Sequence, residues 1–574
     1  DHYAVGVKVR LTDSVFESRS FLGRNLDRIP EGVFEKEFLS QRVHEVYQAE
    51  TVDEAVERLE KKMLTALNVV APERLIRTRE NYAKWMTPEL LVKIKHRNGL
   101  RKRAERSKIP EHWQVFRDCQ RSLCKELRKA REEDLKADMD VKDSKLRWKR
   151  VKMHAGLNNK NIDDIELDIE DAERVTEPGA VAKRLNDYFK TKVIKLRQHL
   201  DVSVEESLSY TDEYLRDKEV EEFDFHQVSR PYIKKIIRGL TNTGALGRDG
   251  LGTKLLKNYC SVLTGPITHI VNMAIYFGEY PDSWKLGVIT PLPKGGNPRE
   301  EKNWRPITIN CTMSKILETV LNNQISSHME TSGLYSSTQH AYRKVRSVVT
   351  ALLELDTLVK DELNKGKTCA IVTTDISAGF NLVSKEILLP KMSRFGFGEM
   401  SCKLLENYLT RRRTQVKIKN IKSGEVLLET GVGEGSVLGP NFFSCGMTDV
   451  SVVAKRVAKA LAEDDNMRVY ITQIEYADDC TGFVSADNEE DLQKAVDKLL
   501  EGFGKFYEAN GLKMNEAKSN LLVFRPHRKV KTLTLAGQDE VDCLRLLGLN
   551  IDNKLTYEQH TKIVCGRLAG KIKA

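Results

Sequence analysis

Apolar and β-branched residues dominate two neighbouring segments of the chain, residues 469–476 and 480–484. Segments of this length and composition favour β-strands. The turn between them contains Asp478 and Asp479, so the pattern predicts a hairpin that presents two carboxylates at its tip. An ordinary acidic turn is the alternative interpretation of this hairpin when it is taken alone.

A third apolar segment, residues 369–374, predicts a buried strand that ends at Asp375, and Gly379 and Phe380 follow on a tight turn. A carboxylate at a strand end beside an acidic hairpin can hold two Mg²⁺ ions, because Mg²⁺ prefers carboxylate oxygens and leaves coordination positions for substrate phosphate. Two such ions activate an attacking hydroxyl and stabilise a leaving pyrophosphate. These acids therefore predict phosphoryl transfer with Mg²⁺, with Mn²⁺ as a possible substitute.

Strands and helices alternate along residues 368–524, a pattern typical of α+β domains. The length of 574 residues exceeds that of one ordinary domain and predicts roughly two to four. The pattern predicts these further features: strands at residues 3–11 and 286–292, a polar helical region over 30–160, an acidic linker at 163–171, a glycine-rich turn at 244–252 and an amphipathic helix at 314–328.

Positive charge is concentrated in one part of the chain. The formal net charge is +10, and residues 84–150 contain 21 Lys and Arg against 11 Asp and Glu, a surplus as large as that of the whole chain. Trp85, Trp113 and Trp148 lie among these basic residues. Two interpretations stay open: helical faces that are simply solvated, or a helical extension that binds RNA or DNA phosphates and loses affinity as salt rises.

The ten cysteines form no C-x-x-C pair and no Cys/His cluster with zinc spacing. Scattered cysteines indicate reduced thiols, and the chain opens on Asp1 and His2 without an apolar signal segment. We therefore expect an intracellular protein of the nucleus and cytoplasm. The most apolar stretch, residues 267–277, is short and interrupted by polar residues, which predicts a buried helix and no membrane partner.

Two phosphate-binding motifs are matched only in part. Residues 366–368 resemble the end of a P-loop, but Asp361 occupies the position of its first glycine. Residues 431–433 begin like a dinucleotide-binding fingerprint, but Ser436 replaces its third glycine. Neither H-E-x-x-H nor G-x-S-x-G occurs, so the zinc-protease and serine-hydrolase classes lack their signatures here.

A series of short motifs runs in order through the second part of the chain: LNDYF at 185–189, GRDGL at 247–251, WK at 284–285, PLPK at 291–294, NWRPI at 303–307, QHAYRK at 339–344, DISAGFN at 375–381, GVGEGSVLGP at 431–440, YADD at 476–479, GLKMN at 511–515 with Lys518, and LLGL at 546–549. From about residue 180 onward, this order resembles that of the reverse transcriptases of non-long-terminal-repeat retrotransposons.

The resemblance implies an α+β right-hand polymerase with fingers, palm and a truncated thumb, preceded by a basic and mainly helical extension. It also implies an upstream apurinic-like endonuclease, of which His2 would be an orphaned catalytic residue. The implied divisions are the last endonuclease strand at 1–12, the helical linker or nucleic-acid-binding extension at 13–175, the fingers at 176–365, the palm at 366–530, and the primer grip with the start of the thumb at 531–574.

By the same resemblance, Asp375, Asp478 and Asp479 are the catalytic metal ligands, and Phe380 is the steric gate that excludes a ribose 2′-hydroxyl. Lys518 would donate a proton to pyrophosphate. The implied partners are an RNA template, a DNA primer or target, and dNTPs, and the oligomeric state stays open. The residues implied to contact nucleotide or template are Lys294, Arg305, Phe380, Glu434, Gly435, Tyr476 and Lys518.

Three positions depart from the family pattern. Asn381 stands where Asp is usual, and Gly433 and Glu434 stand where Pro and Gln are usual. A Gln donates a hydrogen bond near the nucleotide, whereas an ionised Glu only accepts and brings negative charge near a triphosphate. The leading hypothesis is a reverse transcriptase that works by target-primed synthesis. The alternatives are a catalytically impaired, retroelement-derived nucleic-acid-binding protein and a basic scaffold with chance acidic turns.

Overall fold

A computed structural model of the protein describes residues 20–77, 85–139, 165–169, 172–198, 200, 202–464, 467–526 and 532–573. The chain forms two compact units. Among the described residues, the smaller unit contains 20–29, 71–77 and 85–139, and the larger contains 30–70 and the residues from 165 onward. The strand predicted at residues 3–11 and the catalytic role predicted for His2 lie outside the described residues.

The helices, in chain order, are α1 (Val33–Ser40), α2 (Val52–Val70), α3 (Pro88–Ser107), α4 (Pro110–Met139), α5 (Pro178–Arg197), α6 (Val204–Leu215), α7 (Arg230–Gly239), α8 (Thr253–Asn258), α9 (Cys260–Phe277), α10 (Thr312–Thr331), α11 (Val348–Asn364), α12 (Gly379–Leu382), α13 (Lys385–Arg394), α14 (Glu399–Leu409), α15 (Gly439–Met447), α16 (Ser451–Asp464), α17 (Glu489–Ala509) and α18 (Glu558–Lys573).

The strands are β1 (Ser20–Gly23), β2 (Arg74–Arg77), β3 (Leu167–Ile169), β4 (Ala172–Val175), β5 (Leu286–Pro293), β6 (Trp304–Ile309), β7 (Thr368–Thr374), β8 (Arg413–Ile418), β9 (Ile421–Lys422), β10 (Val426–Leu427), β11 (Val469–Tyr476), β12 (Asp479–Ala486), β13 (Asn520–Phe524), β14 (Thr534–Leu535), β15 (Gln538–Asp539), β16 (Cys543–Leu546) and β17 (Leu549–Asp552).

Helices α3 and α4 of the smaller unit pack against each other. Strands β1 and β2 of the same unit form an antiparallel pair. Helix α3 begins after Thr87, whose hydroxyl accepts the N–H of Leu90 at 3.3 Å, and it ends at Lys108, which adopts a φ of +56°. Lys93 of α3 and Glu126 of α4 are joined across the helices by an ion pair of 2.6 Å. The polar helical region predicted from the sequence is therefore present in this part of the chain.

Four strands of the larger unit form an antiparallel sheet in the order β11-β12-β7-β13. Successive side chains of a strand point to opposite faces. On one face, Ile371 and Phe483 pack with α11 and the hairpin β16–β17. On the other face, Thr374 contacts the hydroxyl of Tyr507 in α17 at 2.9 Å. Because both faces are covered, β7 is buried along nearly its whole length, as the sequence pattern predicted.

A second sheet of the larger unit has the order β10-β8-β5-β6, with β9 beside β8. Val181 and Leu185 of α5 pack on Trp304 and Val416 of this sheet, and Leu167 of β3 is buried in the same cluster. The strand predicted at residues 286–292 is β5. The sheet and α5 thus enclose a core of their own, distinct from that of the four-stranded sheet.

The acidic linker predicted for residues 163–171 is wrong for the part that the structure describes. Ile165 and Leu167 are buried, at 6% and 0% exposure. They alternate with the acidic residues Glu166 and Asp168, so the apolar side of the segment enters the core while its acidic side faces outward. The acidic composition indicated a linker, whereas the alternation of apolar and acidic residues is typical of a strand with one buried face.

Residues 30–70 belong to the larger unit, whereas the sequence analysis placed them within an extension over residues 13–175. Helix α2 buries an apolar stripe at helical spacing. Its buried Glu60 accepts hydrogen bonds from Trp284 Nε1 at 3.3 Å and Arg248 Nη2 at 2.9 Å. The extension is thus divided, because this amphipathic helix finds its partners in the larger unit.

Helix α9 meets the length and composition criteria for a membrane span, and 56% of it is buried within the protein. It is the one such helix in the part of the chain that the structure describes. Core helices of folded domains meet the same criteria, so this helix is weak evidence for a membrane. Ile267, Ile270, Val271 and Ala274 are buried, in agreement with the buried helix predicted at residues 267–277.

Candidate active site

The hairpin β11–β12 carries the paired acids at its tip. Its strands pair in unbroken register as far as Tyr476 and Asp479, and Ala477 and Asp478 form the turn. Ala477 adopts a left-handed conformation with φ +58°, which is strained for a residue with a side chain and is typical of functional turns. Its N–H is oriented towards Oε1 of Gln339 at 3.4 Å. The predicted acidic hairpin is therefore present.

A second segment supports the base of this hairpin. The N–H of Glu475 donates to the carbonyl of Thr338, and the N–H of His340 donates to the carbonyl of Glu475, both at 2.9 Å. The Glu475 side chain accepts from Thr338 Oγ1 and Gln473 Nε2 at 2.8 and 3.0 Å. Burial raises the pKa of Glu475 to about 7. Sequence analysis missed this buried acid, although it lies directly beside the YADD motif.

Asp375 follows β7, which lies beside β12 in the sheet, and Thr374 pairs with Cys480. The carboxylate therefore lies near the hairpin tip. It accepts Lys518 Nζ at 3.0 Å and Asn515 Nδ2 at 3.4 Å. The main chain of Asp375 also accepts the N–H of Asn515 at 2.8 Å. The segment after α17 thus fixes both the backbone and the side chain of this acid.

One cleft of about 740 Å³ opens in front of these acids. Of the ten predicted site residues, eight line it: Asp375, Asp478, Lys294, Arg305, Phe380, Glu434, Gly435 and Lys518. The structure thus brings together residues that span more than 220 positions of the sequence. A cleft of this size is large enough for a nucleotide and part of a nucleic-acid strand.

Tyr476 and Asp479 do not line that cleft. They line a smaller cavity together with Leu546 and Leu547 at the tip of the hairpin β16–β17. Tyr476 and Asp479 are direct cross-strand partners, so their side chains lie on the same face of the sheet, whereas Asp478 belongs to the turn. Asp479 therefore faces the predicted primer-grip hairpin, whereas Asp478 faces the cleft.

Five cations line the cleft: Lys190, Lys192, Lys294, Arg305 and Lys518. Burial lowers the pKa of Lys192, and the positive charge of Lys518 lowers it further. Partial burial and then the charge of Lys192 lower the pKa of Lys294. Such crowded cations favour an anionic ligand. Sequence analysis missed Lys192, which lies one helical turn beyond Phe189, the end of the LNDYF motif, and on the same cleft-lining face.

Burial and mutual repulsion act on the hairpin acids. Burial, and then the charge of Asp375, raise the pKa of Asp478. Partial burial and the neighbouring acids raise the pKa of Asp479 to about 6. Among the described residues, no group of three or more His, Cys, Asp or Glu side chains is arranged to hold a metal ion. The two aspartates that line the cleft, Asp375 and Asp478, nevertheless fit Mg²⁺, which commonly takes one or two carboxylates and completes its shell with phosphate and water.

Phe380 and the glycine turn after it form one wall of the cleft. The Phe380 ring stacks on Phe443 at 5.4 Å, and the Phe380 carbonyl accepts the N–H of Val432 at 3.0 Å. Gly435 adopts a φ of +116°, and a Cβ there would lie 2.5 Å from the carbonyl oxygen of Thr308. Only glycine fits this approach. The predicted steric gate is therefore held by packing on one side and by the turn on the other.

Glu434 lies between the cations and the turn. Its carboxylate is 3.6 Å from Arg305 Nε, and its other oxygen accepts Asn381 Nδ2 at 3.5 Å. Burial raises the pKa of Glu434, while Arg305 and Lys294 act in the opposite direction. The side chain thus brings a carboxyl group to the part of the cleft where the cations would hold phosphate.

Comparison with known proteins agrees with this geometry. The family described as Reverse transcriptase (RNA-dependent DNA polymerase) matches residues 292–551. That range contains Lys294, Arg305, Asp375, Glu434 and the hairpin acids, whereas Lys192 lies outside it. The glycine turn and the hairpin β16–β17 also fall within the match. The family match thus covers the cleft almost completely.

Three curated relatives extend the comparison. The "Probable RNA-directed DNA polymerase from transposon X-element" of Drosophila melanogaster is 26% identical over 59% of this chain and 37% of its own length. The RNA-directed DNA polymerase from mobile element jockey of the same organism is 22% identical over 61% of this chain and 38% of its own length. The Pol polyprotein from the type-1 retrotransposable element R2 of Popillia japonica is 21% identical over 56% of this chain and 45% of its own length.

The chain spans less than half the length of these relatives. The family match over residues 292–551 includes the acidic hairpin, the strand that ends at Asp375 and the cleft residues from Lys294 onward. Residues 292–551 therefore match the reverse transcriptase family, and the chain is similar to RNA-directed DNA polymerases of the transposon X-element and of the mobile element jockey.

Proposed function

We propose that the protein is an RNA-directed DNA polymerase that joins dNTPs to the 3′-hydroxyl of a DNA primer along an RNA template. The observation that carries this proposal is one cleft shared by Asp375, Asp478 and five cations. Phosphoryl transfer depends on positioning and charge neutralisation, and these side chains provide for both. The four-stranded sheet would be the palm, and the five-stranded sheet would belong to the fingers.

Each cleft residue has a role in this proposal. Two Mg²⁺ ions, or Mn²⁺, held by Asp375 and Asp478 would activate the primer hydroxyl and neutralise the departing pyrophosphate. Arg305, Lys294 and Lys192 bind the triphosphate, because their charges converge on one part of the cleft. Asn515 and Lys518 orient Asp375 in the absence of substrate, and Lys518 is the candidate proton donor to pyrophosphate.

Asp479 and Tyr476 act on the other side of the hairpin. Their cavity is shared with Leu546 and Leu547, so they support the contact between the acidic hairpin and the hairpin β16–β17. If the latter grips the primer, this contact aligns the primer end with Asp478. Asp479 then contributes to primer placement in addition to the metal-binding role implied by the family resemblance.

Primer extension tests the proposed activity. The protein is incubated with an RNA template, an annealed DNA primer, dNTPs and Mg²⁺, and extended products are resolved by length. We expect extension that depends on the RNA template and stops when the metal is chelated. If no dNTP is incorporated, even when the chain is extended to include the thumb proposed for the full-length protein, the proposed polymerase activity is excluded.

A valine at position 380 is expected to weaken discrimination against ribonucleotides. The Phe380 ring lines the cleft and is backed by Phe443, so a smaller side chain makes room for a 2′-hydroxyl. We expect Phe380→Val to lower the ratio of kcat/KM for dTTP over UTP by about 10- to 100-fold, in line with about 1–3 kcal/mol for a filled pocket. Phe277→Val, outside the cleft, is the control and keeps the ratio of the unmodified protein.

A second function is favoured by one observation, the Glu434 carboxyl group beside Arg305. Negative charge there opposes a triphosphate, so the chain could bind nucleic acid without synthesising it. This alternative predicts RNA binding that weakens with salt, together with no dNTP incorporation. The primer-extension assay and an RNA-binding titration on the same preparation therefore distinguish the two functions.

The exposed basic face of α3 is expected to contribute to nucleic-acid binding. Lys95, Lys102 and Arg106 are exposed and follow one another at helical spacing, so they present one stripe of charge. Replacing all three by Gln should weaken RNA binding at low salt. It should also make the slope of log K against log salt shallower by about two to three, since each phosphate contact contributes about 0.7–0.9.

Three exposed lysines of α17 provide the matched control for the α3 variants. Lys494, Lys498 and Lys505 are exposed and lie in the larger unit, outside the cleft. Their replacement by Gln removes the same number of charges from the protein. If both triple variants change the salt slope equally, net charge alone explains the binding, and the α3 stripe has no specific part in it.

The biological setting follows from the relatives as a further proposal. The chain would be the polymerase part of a retrotransposon protein that copies element RNA at a nicked DNA target. Such synthesis takes place in the nucleus, whereas the protein itself is made in the cytoplasm. We therefore propose that the protein occurs in both compartments. An upstream endonuclease and a complete thumb are proposed for the full-length protein, because its relatives are more than twice the length of the matched region.

A further inference from the structure

Two of the three residues that depart from the family pattern contact each other. Asn381 follows the predicted steric gate, and Glu434 lies in the glycine turn, 53 positions later in the sequence. In the structure, Asn381 Nδ2 donates a hydrogen bond to Glu434 Oε1 at 3.5 Å. The two departures are therefore one structural feature, in which an amide at one position meets a carboxylate at the other.

The backbones around this contact leave little freedom for the two side chains. The carbonyl oxygen of Asn381 accepts Thr430 Oγ1 at 3.3 Å. A Cβ on Gly431 would lie 2.5 Å from that same oxygen, and Gly431 has a φ of +91°. The carbonyl of Glu434 accepts the N–H of Thr308 at 2.7 Å. Because both segments are held this closely, the side chains at 381 and 434 must be complementary.

The pair also determines where a negative charge is placed. An amide with a carboxylate carries one negative charge, whichever of the two positions holds the acid. Here the charge is at Glu434, 3.6 Å from Arg305 and within electrostatic reach of Lys294 and Lys192. With the acid at position 381 and an amide at position 434, no carboxylate at 434 would compete with a triphosphate for these cations. The hydrogen bond could still form, with the amide at 434 as donor and the carboxylate at 381 as acceptor.

We propose that Asn381 and Glu434 form one positioning pair, and that the placement of its carboxylate at 434 sets the affinity of the cleft for a nucleoside triphosphate. The part that concerns nucleotide affinity rests on the proposed polymerase function. The pair does not touch the reacting atoms; it acts through Arg305 and the neighbouring lysines. Its exchange, Asn381→Asp together with Glu434→Gln, preserves the hydrogen bond and moves the charge away from the cations.

A double-mutant cycle tests the pair with four proteins: unmodified, Asn381→Asp, Glu434→Gln and the double variant. The assay measures kcat and KM for dTTP on an RNA template with a DNA primer. Asn381→Asp alone places two carboxylates in contact, and like charges this close disfavour each other. We expect it to lower kcat/KM by about tenfold or more in the presence of Glu434, and by less than about threefold in the Glu434→Gln background, as for other coupled neighbours.

Glu434→Gln separates binding from chemistry. We expect it to lower the KM for dTTP by about 3- to 10-fold while kcat changes less than about twofold, because removing an anion strengthens ground-state binding of the triphosphate. A merely structural role would alter kcat and KM together. Asn258→Asp, on an exposed residue at the end of α8 outside the cleft, is the control for adding one acid and leaves both constants unchanged.

Urea unfolding of the same four proteins, without nucleotide, separates failure of the pair from failure of the proposed function. If neither the unmodified protein nor its thumb-extended form incorporates dTTP, but Asn381→Asp destabilises the protein only when Glu434 is present, the polymerase proposal is overturned and the pair is supported. If Asn381→Asp has the same effect in both backgrounds, in kinetics and in unfolding, the pair is overturned. A KM that rises or stays constant in Glu434→Gln overturns the role of the charge in triphosphate affinity.

Discussion

Replacement of Asp478 by asparagine is expected to lower primer extension by about a thousandfold or more, equivalent to roughly 4 kcal/mol of transition-state stabilisation. An amide occupies the same volume as the carboxylate but carries no charge for a metal ion. The turn itself depends on the backbone pairing of Tyr476 with Asp479 and on Gln339, so we expect the variant to fold. Single-nucleotide incorporation on an RNA template measures the effect.

Two further aspartates make this prediction specific to one side of the hairpin. Asp487 lies just beyond the far end of β12 and is exposed, so Asp487→Asn should retain activity within about twofold, the usual scatter for surface changes. Asp479→Asn should cost less than Asp478→Asn, since Asp479 faces the cavity beside Leu546 and not the cleft. Unchanged extension in Asp478→Asn would exclude this hairpin as the catalytic centre.

Replacement of Lys391 by methionine is expected to reduce the free energy of unfolding by about 3–5 kcal/mol, the cost of leaving one member of a buried ion pair without its partner. Lys391 and Asp449 are both fully buried, with 2.7 Å between Nζ and Oδ2. Lys391 also donates to the carbonyl of Gly446 at 2.9 Å, and Thr211 donates to Asp449 at 2.6 Å. Methionine fills the space of the lysine side chain but leaves the Asp449 carboxylate buried without a positive charge beside it.

Urea unfolding measures this change, and two variants control it. Lys391→Met combined with Asp449→Leu removes both charges, and we expect it to be more stable than Lys391→Met alone. Arg394 is on the same helix α13 and pairs with Asp212, but both side chains are about half exposed. Arg394→Met should therefore cost no more than about 1 kcal/mol. Equal losses from the two pairs would show that burial does not determine their contribution.

Local patterns were sufficient to predict the parts of the site that lie on single elements. The apolar run before Asp375 predicted β7, because a strand covered on both faces has no polar side. The two strand-like segments around Asp478 predicted the hairpin, because their composition and the short turn leave few other arrangements. The order of motifs then indicated which distant segments meet, and eight of the ten predicted residues line one cleft.

The remaining features depend on tertiary geometry or on alternation that composition conceals. Lys192 reaches the cleft only because α5 packs on the second sheet, which no local pattern specifies. The contact between Asn381 and Glu434 depends on how the glycine turn approaches α12. The different directions of Asp478 and Asp479 depend on the turn, because Asp478 lies outside both strands whereas Asp479 begins β12.

The path of the chain around α2 has a practical consequence for dissecting the protein. The chain completes α1 and α2 within the larger unit, passes through the smaller unit, and then returns to the larger one. A fragment that starts at residue 162 would appear to contain every motif of the polymerase, yet it would lack α2. Trp284 and Arg248 would then lose their hydrogen bonds to Glu60. Excision of the enzyme should therefore start before residue 30, so that α1 and α2 stay with the rest of the larger unit.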